Sequence, residues 1–129
     1  MTGARIRQAS EADAPLVAAL VIQAARAEGL EPGQGFMDRF VDAWREYRDQ
    51  HPAWWAELDN QHAGLLLTAR IRPLPWPGRT GGGELRAERL FVPDAYADRG
   101  VADALRAAAR DWATARGMDW YDLADLSDR

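Results

Sequence analysis

The chain has no cysteine and no lysine, and only two histidines, His51 and His62, among its 129 residues. Without cysteine there is no disulfide, no thiolate metal site and no cysteine nucleophile. So few imidazoles leave little for a histidine-based metal centre. Long hydrophobic runs are missing too. The longest, Leu16 to Ile22, falls far short of the roughly 20 residues that cross a bilayer. The opening Met1 to Arg7 lacks the apolar stretch of a secretion signal. Positive charge is in deficit: 16 basic residues, all arginine, face 20 acidic ones, for a net charge of −4. That balance argues against a general nucleic-acid binder. The expectation is a cytoplasmic single domain, residues 1–129, with neither a membrane nor a nucleic acid as partner.

What is present suits a folded core: 47% of residues are hydrophobic and 28% charged, which is not the profile of a disordered chain. Arginines 70, 72, 79, 86 and 89 cluster within 63–92. The simplest reading is a sheet edge guarded from aggregation by charge.

Periodicity supplies the element order. Arg5 to Gln8 reads as an opening strand. Ser10 precedes Asp13 at nearly capping-box spacing, and Pro15 is tolerated in a first turn. Leu16, Val17, Leu20, Val21 and Ala24 then recur at helical intervals until Gly29. After Glu31-Pro-Gly33, a second helix puts Phe36, Phe40, Trp44 and Tyr47 on one face, widened by Met37 and Val41. This stripe is expected to be core. Trp54 to Leu58 and Gly64 to Arg72 read as a hairpin turning at Asp59-Asn-Gln61. Pro73 to Gly83 forms a loop, and Leu85 to Val92 a further strand. A helix follows over Val101 to Arg116, burying Val101, Ala104, Leu105, Ala108 and Trp112 and stopping at Gly117. Met118 to Leu123 is the last strand. The fold class is α/β of the α+β type, with a mixed sheet of about five strands. The order is strand, two helices, three strands, helix, strand, and the last crossover requires a parallel pair.

This order, with Leu90-Phe-Val-Pro-Asp-Ala-Tyr-Ala-Asp-Arg-Gly-Val-Ala-Asp-Ala-Leu105, resembles the GNAT superfamily of acyl-CoA N-acyltransferases. Ile6 to Asp13 and Ala56-Glu-Leu-Asp59 followed by Ala63-Gly64 support the likeness, which covers nearly the whole chain. The family pattern Gln/Arg-x-x-Gly-x-Gly/Ala falls on residues 97 to 102. Gly100 and Ala102 match it. Ala97 replaces the usual Gln or Arg, and Asp98 stands where glycine is frequent. The resemblance implies acetyl-CoA as cofactor, its pyrophosphate held by Arg99, Gly100, Val101 and Ala102 at a helix start, where unpaired amides and the helix dipole favour anions. Asp98 opposes this. As an N-cap it would occupy amides of Gly100 or Val101, and its charge opposes each phosphate charge by about 1–3 kcal/mol at about 6 Å. The family usually continues past the fifth strand with a helix and two more strands, and a tyrosine on that helix often protonates the departing thiolate. This sequence ends at Arg129, so those elements are expected to be lacking. A homodimer is one way to cover the open edge.

The resemblance also implies that Leu90, Phe91 and Val92 hold the thioester through main-chain groups. It makes Glu88 the general base, with Glu84 second, and leaves Tyr121 as the candidate acid. The residue-based reading of Glu88 is an exposed strand residue paired with a cross-strand arginine. Gly100 has a similar reading, close packing of helix on strand. Among six tryptophans, Trp54, Trp76 and Trp120 are candidates to surround an acceptor; Trp44 and Trp112 read as core, Tyr96 as packing, and His51 and His62 as surface residues. Two functions follow. One is an acetyltransferase acting on a small-molecule amine. The other is a GNAT-like binding module, or an enzyme of different chemistry, that no longer takes acetyl-CoA.

Overall fold

The computed structural model describes residues 3–78 and 81–123. Five strands, β1 (Arg5–Gln8), β2 (Ala53–Leu58), β3 (Gln61–Ile71), β4 (Glu84–Phe91) and β5 (Asp119–Tyr121), lie side by side in chain order. The first three pairings are antiparallel and β4–β5 is parallel, so that last pair needs the crossover helix the sequence places there. Helices α1 (Ala14–Ala27) and α2 (Phe36–Tyr47) precede β2, and α3 (Val101–Ala115) joins β4 to β5. The architecture is α+β with one mixed sheet, as expected.

Strand alternation gives the sheet two apolar faces. On one, Trp54, Ala56, Leu66, Leu85 and Ala87 pack against Val101, Leu105, Ala109 and Ala113 of α3. On the other, Ala53 and Leu65 meet Val17 and Leu20 of α1 and Trp44 of α2. The buried face of α3 is therefore rotated from the expected one: Ala104, Ala108 and Trp112 are only half-buried. Arg70 and Arg116 both lie over the Trp112 ring, at 5.7 and 4.0 Å from its centroid, which holds that edge of the indole at the surface.

Local signals hold where turn chemistry is specific. The Ser10 N–H and hydroxyl both donate to the Asp13 carboxylate, at 2.9 and 3.2 Å. The β2–β3 turn is tighter than expected. Asp59 and Asn60 take φ of 54° and 61°, both positive as in a two-residue hairpin turn, and Gln61 already pairs with Leu58. The last strand is shorter than the expected Met118–Leu123, because only Glu84, Leu85 and Arg86 find partners on β5.

Three expectations are corrected. The aromatic stripe of α2 is not core along its length: Trp44 is buried, Phe36 and Phe40 are half-buried, and Tyr47 is 49% exposed. Asp98 is not the N-cap of α3. That position is Gly100, at φ 79°, with no side-chain cap, while Asp98 is itself left-handed at φ 62°. Nor does Gly100 mediate close packing, since a Cβ there meets nothing within 4 Å. Gly64 does so instead: its Cβ would lie 2.8 Å from Val101 Cγ1 and 3.0 Å from Leu105 Cδ1.

Candidate functional site

The site begins where β4 runs on past the end of β5. The parallel ladder ends at Arg86↔Tyr121, so among the described residues the β5-facing side of β4 from Ala87 to Phe91 has no strand partner. Main-chain groups there are available to an extended ligand. Just past the ladder, β4 bulges. Leu67 faces Arg89 and Thr68 faces Ala87, leaving Glu88 as the extra residue, and a bulge re-aims the side chain it carries.

That side chain stands at the rim of two joined hollows. The larger, of about 760 Å³, lies between α1, α2 and the β3–β4 surface; Val21, Phe36, Leu67, Arg86 and Phe91 are among its walls. The smaller, of about 240 Å³, lies under the end of α2 among Phe40, Trp44, Tyr47, Leu67 and His51. Glu88, Phe40 and Leu67 line both. The partner of Glu88 is His51, whose Nδ1 is 3.5 Å from Glu88 Oε1, and not the cross-strand arginine expected.

His51 is the residue that sequence reasoning missed. Its Nδ1 is 3.1 Å from the Thr68 carbonyl; a carbonyl only accepts, so Nδ1 carries the hydrogen. Its own carbonyl accepts from Trp44 Nε1–H at 3.2 Å. The next carbonyl, of Pro52, accepts from the buried Thr68 hydroxyl at 2.6 Å and from the Thr68 N–H at 3.1 Å. A helix end, a strand start and the stretch of β3 opposite the β4 bulge thus fix one imidazole. The aromatic stripe on α2 was the signal that could have located this bay.

The other candidates separate. Leu90, Phe91 and Val92 are half-buried at the end of β4. Glu84, 4% exposed, is tied down: its Oε1 accepts from Arg86 Nε at 2.9 Å and Nη2 at 2.6 Å. Arg86 lies 5.7 Å from the centroid of the half-buried Tyr121 ring, and lines the large cleft. Trp54 is 3% exposed and meets Trp112 edge-on at 5.7 Å; it is core beneath α3 and lines neither hollow. Trp120 packs against that same core, on the face away from the cleft. Trp76 is 71% exposed, in a separate hollow with Arg70, Arg72 and Gly81 to Gly83. None of these tryptophans meets Glu88. Tyr96 packs against the α3-side core as expected.

At the start of α3 the backbone suits an anion. The amides of Val101, Ala102 and Asp103 open the helix with no side-chain cap, and the space beside Gly100 is clear. The surrounding charges suit one less. Asp94, Asp98 and Asp103 are exposed. Arg99 pairs with Asp59 at 3.6 Å, and Arg106 with Asp122 at 3.0 Å and Asp103 at 3.6 Å. The donor set fits the pyrophosphate of a coenzyme A through main chain alone. No group of His, Asp and Glu able to hold a metal occurs among the described residues, and no described helix is long and apolar enough to cross a membrane.

No family model matches the sequence, and no curated protein matches it significantly. Solved structures do match. A predicted acetyltransferase from Clostridium acetobutylicum, solved with acetyl-CoA, gives a TM-score of 0.77 over 94% of this chain and 80% of its own, at 17% identity. The ribosomal-protein-alanine N-acetyltransferase of Brucella melitensis biovar Abortus 2308 gives 0.72 over 93% and 79%, at 21% identity. An aminoglycoside acetyltransferase from an uncultured soil metagenomic sample gives 0.72 over 94% and 79%, at 18% identity. The chain shares the fold of these acetyltransferases.

Proposed function

We propose that this protein is an acetyl-CoA-dependent N-acetyltransferase acting on a small-molecule amine. The observation that carries the reading is the end of the β4–β5 ladder at Arg86, just before a bulged Glu88 that lines a largely apolar cleft. Fold alone does not assign chemistry; this local geometry supplies what acyl transfer to an amine requires. The solved relatives named above include enzymes described as acting on a protein alanine and on aminoglycosides.

When bound, the cofactor supplies an activated thioester. In this reading the amides of Val101 and Ala102, beside Gly100 and Arg99, hold its pyrophosphate. Main-chain groups of Leu90, Phe91 and Val92 align the acyl arm. Glu88 takes a proton from the acceptor's ammonium, leaving the neutral amine that acyl transfer would require. Tyr121 is the group assigned to protonate the departing sulfur. Self-association across the outer edge of β5, uncovered among the described residues, belongs to the same proposal. Sedimentation at micromolar concentration is expected to give a dimer, and a clean monomer removes that part.

A second reading, a binding module that has lost the cofactor, is favoured by the carboxylates around α3 and by the engagement of Arg99 with Asp59. Calorimetry and thermal melting with acetyl-CoA separate the two. At 100 times its dissociation constant a ligand stabilises the fold by about 2.7 kcal/mol, a melting shift on the order of 10 °C for a chain of this size. No heat and no shift at millimolar acetyl-CoA would overturn the transferase reading in favour of a protein that binds or transforms something else.

A further inference from the structure

We infer that the small bay under the end of α2 is the acceptor subsite, and that it takes a compact primary amine carried on a ring-bearing, apolar body. This inference rests on the transferase reading and deepens it.

The bay's size and walls set the body. About 150 Å³ suffices for benzene in an apolar protein cavity, and this one offers about 240 Å³, enough for one ring and a short arm. Its walls are Phe40, Trp44, Tyr47 and Leu67, with Ala43 at the opening. Aromatic walls hold rings by offset or edge-on contact and attract an adjacent cation through their faces. Tyr47 is the one large aromatic left half-exposed at the end of α2, which is unexplained by packing and expected of a binding wall.

Charge at the rim sets the head group. Glu88 is the acidic residue shared by bay and cleft, and the His51 ring stands beside its carboxylate, with Nδ1 3.5 Å from Oε1. The other cleft carboxylate, of Glu28, is 3.9 Å from Arg89. One ammonium therefore finds one anchoring carboxylate at the point where β4 opens toward the acyl donor. A polyhydroxylated polycation would need many carboxylates and hydroxyls, and the bay's walls supply only Glu88, the Tyr47 hydroxyl and a Thr68 hydroxyl already given to the Pro52 carbonyl. His51 is a positioning residue in this arrangement: it aims Glu88 and touches no reacting atom.

The test uses the full chain and 2-phenylethylamine as probe, followed by calorimetry or ligand-observed NMR without cofactor. The amine is expected to bind at least fivefold more tightly than 2-phenylethanol and than neamine. Ala43→Phe, which fills the bay from an exposed helix position, and Tyr47→Ala should each weaken binding at least fivefold with the circular dichroism unchanged. Glu88→Gln should abolish the preference for amine over alcohol. His51→Ala should reduce that preference, and His51→Asn, which keeps a donor at the Nδ1 position, should restore it. Absence of amine binding at about 10 mM, equal binding to wild type and Ala43→Phe, or tighter binding of neamine overturns the inference. Acetyl-CoA calorimetry on the same samples separates the two failures. Cofactor binding without amine selectivity sinks the subsite alone, and amine selectivity without cofactor binding sinks the transferase reading and leaves the bay an amine-binding site.

Discussion

At Asp98 two penalties coincide on one residue. Its φ of 62° is a conformation that side chains other than glycine adopt at a cost, somewhat reduced for aspartate, and its negative charge stands two residues ahead of the Gly100 cap, where a phosphate would be gripped. Asp98→Gly relieves both. It should leave the melting temperature no lower and tighten acetyl-CoA binding about tenfold, following the 1–3 kcal/mol of removed repulsion; calorimetry on the two proteins measures it. Glu88→Gln tests the opposite kind of residue, one whose charge is wanted. General-base assistance contributes about 10²–10⁴-fold. Turnover should fall by roughly that range while the affinity for acetyl-CoA stays within about twofold, read from steady-state kinetics and calorimetry together. These residues were unequally legible. The family pattern located Glu88, whereas its partner His51 is a lone histidine between a helix end and a strand. Only the pairing of Pro52 with Thr68, 16 positions downstream, brings it to the cleft. Asp98 was misassigned because aspartate is a good N-cap, and sequence does not reveal that the chain turns left-handed there.

Among the elements, α3 shows how packing sets the position of a binding group. Its first turn rests on Gly64 of β3, where an added methyl would press on Val101 and Leu105. Gly64→Ala is expected to cost about 1–3 kcal/mol through overpacking and to lift the start of α3 from the sheet. Melting temperature and acetyl-CoA affinity should fall together. Leu105→Ala, one turn further along and fully buried, removes volume instead and should cost about 2–5 kcal/mol, measurable by urea titration. The strands β1 to β4 and the hairpin were readable because alternation and turn residues are local signals. In α2, Phe36, Phe40 and Trp44 do share a face, as their spacing requires. Periodicity tells which residues lie together and nothing about what covers them. Here the cover is partly sheet and partly open cleft, so only Trp44 is buried.

On the scale of the whole molecule, a sheet of five strands separates a core beneath α3 from a second one beneath α1 and α2. The cleft belongs to the second side, and the proposed phosphate cradle stands at the end of α3 on the first. The split explains the fate of the tryptophans. Trp54 and Trp120 belong to the α3 face, and no amount of composition reasoning could say which side of the sheet they would take. It also separates stability from chemistry: substitutions under α3 should change melting strongly, and those in the bay should change binding with little effect on melting. The ladder between β4 and β5 has only three rungs, against longer ones between β2, β3 and β4. Amide exchange should therefore grade across the sheet, with Trp120 and Tyr121 trading deuterium through local openings far below the global unfolding free energy, and Leu66 only through complete unfolding. A ligand lying along β4 beyond the three rungs would slow the fast end and leave the slow end nearly as it was.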